Sequence, residues 1–136
     1  MIVTIKGEAN NAKFRGIPGI YVLGPNFING RSHWLQESGS NAIWNIKGKF
    51  FYKGKERYWT AWGIGSQDDI GSTDTDLTSV NDRAGPQKPS YWRSWNSEES
   101  DFIKHYDILV QSGTCIHHTK RTTYVIHTSL TVHISK

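Results

Sequence analysis

A single cysteine, four prolines and one methionine occur in 136 residues, and each scarcity narrows the possibilities. With Cys115 alone, no disulfide can form within the chain. No apolar run approaches the roughly 18 residues that read as a membrane helix. The opening MIVTIKGEANNAKF lacks an apolar leader segment, and no Asn-x-Ser/Thr acceptor occurs. A cytoplasmic setting is therefore expected, with secretion left open. Also missing are Gly-x4-Gly-Lys-Ser/Thr, Gly-x-Gly-x-x-Gly, Gly-x-Ser-x-Gly and His-Glu-x-x-His. The five glutamates, Glu8, Glu37, Glu56, Glu98 and Glu99, form no recognisable acid/base pair. The expectation leans away from an enzyme and includes no cofactor.

Aromatic residues are plentiful, by contrast. Six tryptophans, Trp34, Trp44, Trp59, Trp62, Trp92 and Trp95, stand in short polar stretches bounded by glycines. A chain of this length makes one domain that buries roughly two-thirds of its unfolded surface. Each ring buries about 150–250 Å², so few aliphatics suffice for a core. Charge is distributed in blocks. Residues 1–58 hold nine Lys/Arg against three acids, residues 59–112 four against nine, and residues 113–136 three against none. The first block is where an anion would meet the protein.

The periodicity is that of strands. Val3 and Ile5 alternate with Thr4 and Lys6, and Gly19–Leu23 is a short β-rich run. Asn29-Gly30 is a hairpin signal with Arg31–Gln36 as the following strand. Ala42–Ile46 and Tyr58–Ile64 read as strands, separated by two Lys-Gly-Lys turns on either side of Phe50-Phe51-Tyr52. Residues 65–89 are polar, with Ile70, Leu77 and Val80 as apolar anchors. Tyr91–Trp95 and Phe102–Val110 are closing strands, and Ser97–His105 is the one helical candidate. From Thr122 to Ile134 an apolar set alternates with a polar one, as in a strand with one dry face. The expected fold is all-β and mainly antiparallel, a small sandwich or flattened barrel with at most one short helix. Residues 1–112 form its tryptophan-rich body and 113–136 a strand or hairpin extension. That extension packs on the same domain or pairs with another copy.

Several of these segments recur in a recognisable order: Val3-Thr4-Ile5-Lys6-Gly7, Gly19-Ile20-Tyr21, Asn29-Gly30-Arg31 with Trp34, Ile43-Trp44, Trp62-Gly63-Ile64-Gly65, Trp92 with Trp95, and Asp107–Val110. Residues 1–112 thus resemble a small tryptophan-rich β module that recurs in large, mostly uncharacterised proteins of protists and other simple eukaryotes. The resemblance implies one compact β domain with a modular, recognition-type role, and no site residue. The basic insertion at Lys47–Tyr58 and the tail after Gly113 depart from it.

Four constellations can carry chemistry. In Lys47–Arg57, five cations (Lys47, Lys49, Lys53, Lys55, Arg57) flank three rings. That composition could suit a polyanion or a membrane interface, but a solvated hairpin whose alternate rings close over the core is the plainer reading. Trp59 and Trp62 stand three residues apart, as do Trp92 and Trp95, so on a strand each pair splits between the two faces. One ring of each pair is core and the other is free to stack on a sugar, unless both sheet faces are covered. Asp68, Asp69, Asp74, Asp76 and Asp82 offer oxygen ligands to calcium, but their spacing is not that of an EF-hand loop, and a solvated loop is the plainer reading. Cys115, His117, His118, His127 and His133 have zinc-ligand chemistry without a second thiol, so no metal is expected.

The leading expectation is a non-catalytic, lectin-like module. Trp62, Trp92 and Trp34 would stack on sugar, with Arg31, Asn45 and Asp76 as polar contacts. A protein-interaction module is the alternative, and polyanion binding through Lys47–Arg57 a further one. Partners are accordingly a carbohydrate or another protein, with nucleic acid disfavoured and a homo-oligomer through the terminal strand conceivable.

Overall fold

Ten strands join into one sheet. The computed structural model describes residues 1–5, 14–80, 85–87, 89, 91–119 and 122–131, with Ile2, 114–119 and 122–131 described by backbone alone. The strands are β1 (Ile2–Ile5), β2 (Gly19–Leu23), β3 (Trp34–Gln36), β4 (Asn41–Tyr52), β5 (Lys55–Ser66), β6 (Leu77–Ser79), β7 (Trp92–Asn96), β8 (Asp101–His105), β9 (Ile108–Thr119) and β10 (Thr122–Thr131). They lie in the order β10-β9-β1-β2-β3-β4-β5-β6-β7-β8, and every pairing is antiparallel except the contact of β1 with β10 through Ile2 and Thr131. The fold is all-β, and the sheet curls into a nearly closed barrel. Among the described residues no helix is long and apolar enough to cross a membrane.

Strand alternation sends one set of side chains inward. Val3, Ile5, Tyr21, Trp34, Ile43, Trp62, Ile64, Leu77, Trp92, Ile108 and Val110 form the interior, with Phe14 and Ile17 of the β1–β2 connection packed against them. Trp34 and Trp62 stack obliquely, with ring centroids 5.8 Å apart. Burial of so many rings compensates for the shortage of leucine. Strand β4 is buried on both faces between Ala42 and Ile46. Its outward residues Ala42, Trp44 and Ile46, with Ala61 of β5, form a second cluster covered by Ile28, Leu35 and Ile70. The Trp44 Nε1–H donates to Ser72 O at 3.0 Å, so this buried ring also tethers the loop after β5 to the outer face.

Tyr21 is fully buried, and its hydroxyl donates to Ile17 O at 2.7 Å. Burial, with the nearby Asp76 charge adding to it, pushes this phenol far above its ordinary pKa. A phenol that holds its proton more tightly when folded contributes stability that is intact below the unfolded pKa of 10.0 and declines as pH rises above it. Tyr21→Phe should lose about 1 kcal/mol from the missing hydrogen bond and show a shallower decline above pH 10.0. Thermal unfolding of both proteins at neutral and alkaline pH checks this. An unchanged midpoint at neutral pH would mean that the bond contributes nothing.

Several expectations change in the folded chain. The Asn29-Gly30 turn is present, with φ values of 52° and 74°, but it closes a single bridge between Ile28 and Arg31 rather than a strand pair. Of the two Lys-Gly-Lys segments only the second turns. Lys53 and Gly54 take φ values of 51° and 72° between the paired Tyr52 and Lys55, as a type I′ hairpin turn requires. Gly48 of the first lies inside β4. Ser97–His105 is a turn followed by strand β8, not a helix, because the edge of β7 offers a full ladder from Trp92–His105 to Asn96–Asp101. Strand β10 pairs with β9 along its length within the same chain. The end of the alternating tail, residues 132–134, lies outside the described residues.

Candidate binding groove

The ladder register from β4 to β8 fixes which side chains share the outer face. Gly48 faces Trp59, Gly63 faces Thr78, Thr78 faces Arg93, and Trp95 faces Phe102. Alternation on β5 and β7 then places Trp59, Thr78, Arg93, Trp95 and Phe102 on one face. The same alternation sends Trp62, Ile64, Trp92 and Ser94 inward. The loop after β5 folds back over this outer face, where Thr75 lies against Gly63 and the Asp74 carbonyl lies near Gly65. Between loop and strands runs an open groove of about 650 Å³ lined by Trp59, Thr73, Asp74, Thr75, Thr78, Arg93, Trp95 and Phe102.

Its aromatic walls are partly open to solvent. Trp59 is 38% exposed and Trp95 51%. Trp95 meets Phe102 edge to face at 5.2 Å, and the Arg93 guanidinium carbon lies 4.6 Å from the Phe102 ring centroid. Arg93 Nε is buried without a hydrogen-bond partner among the described residues. The Thr75 and Thr78 hydroxyls bond to each other at 2.9 Å. The Asp74 backbone N–H donates to the Ser72 hydroxyl oxygen at 3.1 Å, and the Asp74 side chain stands exposed at the rim. Strands β5 and β7 run parallel to each other with Gly63 and Arg93 level. Trp59 lies four residues before that line and Trp95 two after it. At roughly 3.3 Å per residue the two backbone positions stand on the order of 20 Å apart along the strands. The groove is therefore elongated, with a ring toward either end and polar groups between.

Gly48 sets the pose of Trp59. A Cβ there would overlap the indole, which lies flat across the backbone of β4. Gly48→Ala is expected to lift Trp59 off the sheet, remove one end of the groove and change little of the interior. Its signature would be a change in tryptophan emission or near-ultraviolet dichroism with less than about 1 kcal/mol lost in denaturant unfolding. A loss of several kcal/mol would mean that Trp59 belongs to the core.

None of the residues expected to bind sugar lines this groove. Trp62, Trp92 and Trp34 are 2%, 1% and 9% exposed, so no indole face is open for stacking, whereas Trp59 on the strand of Trp62 and Trp95 on the strand of Trp92 are partly open. Asn45 is buried opposite Trp62, and its carbonyl accepts from the Asn29 amide at 2.8 Å. The Arg31 guanidinium lies 5.5 Å from the Trp62 ring centroid. Trp34, Trp62, Arg31 and Asn45 thus do come together, as packing rather than as a site. The exposed Asp76 uses its amide to bond Ile64 O at 2.9 Å. Lys47, Lys49, Lys53, Lys55 and Arg57 are all exposed on the β4–β5 hairpin. No three His, Cys, Asp or Glu side chains converge as metal ligands among the described residues. Asp82 and His133, and the side chains of Cys115, His117, His118 and His127, lie outside them.

One further pair has nucleophile–base geometry. The Ser94 hydroxyl lies 2.8 Å from His105 Nε2. Ser94 is 3% exposed and Phe14 packs edge to face on the half-buried His105, so the pair is a cross-strand bond at the floor of a small open depression of about 330 Å³.

No protein-family model matches this chain, and neither a curated protein nor a solved structure matches it.

Proposed function

We propose that the protein is a non-catalytic carbohydrate-recognition module, with the Trp59–Trp95 groove as its site. The observation that carries this reading is the sorting of the tryptophans. Trp34, Trp44, Trp62 and Trp92 are in cores, while Trp59 and Trp95 are left partly in water on one face, bracketing threonine hydroxyls, an arginine and an aspartate. An indole presents a flat apolar face of the kind a pyranose C–H face covers, and the neighbouring donors and acceptors meet the hydroxyls. Exposed rings gathered in one groove mark a binding surface, whereas scattered ones do not. The open, elongated shape suits several linked sugar units better than one.

A glycan array carrying neutral, sulfated and uronic-acid oligosaccharides tests the reading, with Trp95→Ala as the control. Binding by the parent chain that the variant loses supports it. An array silent for the parent chain, or binding that Trp95→Ala leaves intact, would sink it.

A further inference from the structure

We infer that the groove and the basic hairpin are one continuous surface, and that its ligand is an acidic oligosaccharide whose sulfate or carboxylate groups sit on Lys55 and Arg57. This inference rests on the carbohydrate reading of the groove. Beyond Trp59 the β4–β5 ladder continues through the pairs Phe50–Arg57 and Tyr52–Lys55. Alternation places these four side chains on the same face as Trp59, so the groove's outer face runs on along the projecting hairpin. Lys55 lies four residues from Trp59, on the order of 13 Å at roughly 3.4 Å per residue. Phe50 and Tyr52 are exposed there beside the two cations.

The opposite face of the hairpin is occupied differently. It carries Lys47, Lys49, Phe51, Glu56 and Tyr58. Lys49 lies 3.4 Å from the Glu56 carboxylate, and Lys47 Nζ lies 4.4 Å from the Tyr58 ring centroid. The Tyr58 hydroxyl donates to Glu56, a bond that raises the phenol's pKa. Lys55 and Arg57 have no carboxylate or ring partner among the described residues. The five cations are therefore not equivalent: Lys55 and Arg57 on the groove face lack such partners, Lys47 and Lys49 on the far face are engaged, and Lys53 in the turn lies 5.3 Å from the Tyr52 ring centroid. At the other end of the groove Asp74 disfavours an anionic group. Inside the groove the Arg93 guanidinium is packed on the Phe102 ring, so the cations of this face without a carboxylate or ring partner are those of the hairpin, which orients an acidic chain with its neutral units over Trp95 and its charged units beyond Trp59.

The test is a calorimetric titration with a heparin-derived hexasaccharide and its desulfated counterpart, at low and moderate salt. The proteins are the parent chain, Lys55→Ala/Arg57→Ala, Lys47→Ala/Lys49→Ala and Trp95→Ala. The sulfated form should bind roughly tenfold more tightly. Lys55→Ala/Arg57→Ala should lower its affinity by roughly five- to tenfold and flatten the salt dependence by about two charges. Lys47→Ala/Lys49→Ala should change it less than about twofold. Equal affinity for both forms, with no effect at Lys55 and Arg57, overturns the inference and leaves the groove reading standing. Equal losses in the two double variants reduce the effect to unspecific attraction and overturn it as well. Sulfated-sugar binding that survives Trp95→Ala, or no binding of either form, removes the groove reading and this inference with it.

Discussion

Trp62→Ala should cost about 3–5 kcal/mol of folding stability, enough to consume much of what a domain of this size has. The indole is 2% exposed, packs on Trp34 at 5.8 Å and carries the Arg31 guanidinium 5.5 Å from its ring centroid. Its backbone amide donates to the buried Ser79 hydroxyl at 2.7 Å, so β5 and β6 are tied at the same level. Truncation opens a cavity beside Trp34 and Arg31, and a close-packed interior relaxes only partly to fill it. Denaturant unfolding of the variant reads the loss directly. A cost below about 1 kcal/mol would place the ring at the surface and contradict the core described above.

The second large effect falls on binding and leaves folding alone. Trp95→Ala should abolish measurable oligosaccharide binding on the array that detects the parent chain, while lowering stability by less than about 1 kcal/mol. Half of this ring is in water, and its main neighbour is the cross-strand Phe102. Removing it strips one wall of the groove and costs the fold one aromatic pair. The contrast between the two substitutions is the content of the proposal: two tryptophans of one chain, one holding the fold and the other holding the ligand. A Trp95→Ala protein that unfolds, or one that binds as before, breaks that division.

Why the division was only half readable in the sequence follows from strand geometry. The i, i+3 spacing of Trp59 and Trp62, and of Trp92 and Trp95, states that each pair straddles a sheet, and both pairs do. Which member faces outward depends on register, and the expectation placed Trp62 and Trp92 outside. A usable signal was present nonetheless. Trp62 alternates with Ile64, an apolar two-residue stripe, whereas Trp95 shares its face with Arg93, and a cation on the same side of a strand marks the wet side. On β5 the outer stripe is Trp59, Ala61 and Gly63, small residues that leave space for the returning loop; without that loop's position their meaning is hidden. The first Lys-Gly-Lys segment is a strand and the second a turn, and local pattern does not separate them. Glycine marks both a turn and a close approach, and only the ring lying across Gly48 distinguishes the two. Strand positions, the all-β class and the exposed basic hairpin were legible because they depend on local pattern. Groove walls drawn from β5, β6, β7, β8 and a loop depend on long-range register, which one sequence does not print.

The most direct test of this account follows the six indole N–H resonances during titration of the folded protein with chitohexaose and, separately, with a heparin-derived hexasaccharide. The account predicts that the signals of Trp59 and Trp95, assigned by single Trp→Phe substitutions, shift with at least one of the two sugars while those of Trp34, Trp44, Trp62 and Trp92 stay in place. Shifts confined to the four buried tryptophans, or no shift of any with either sugar, would contradict it.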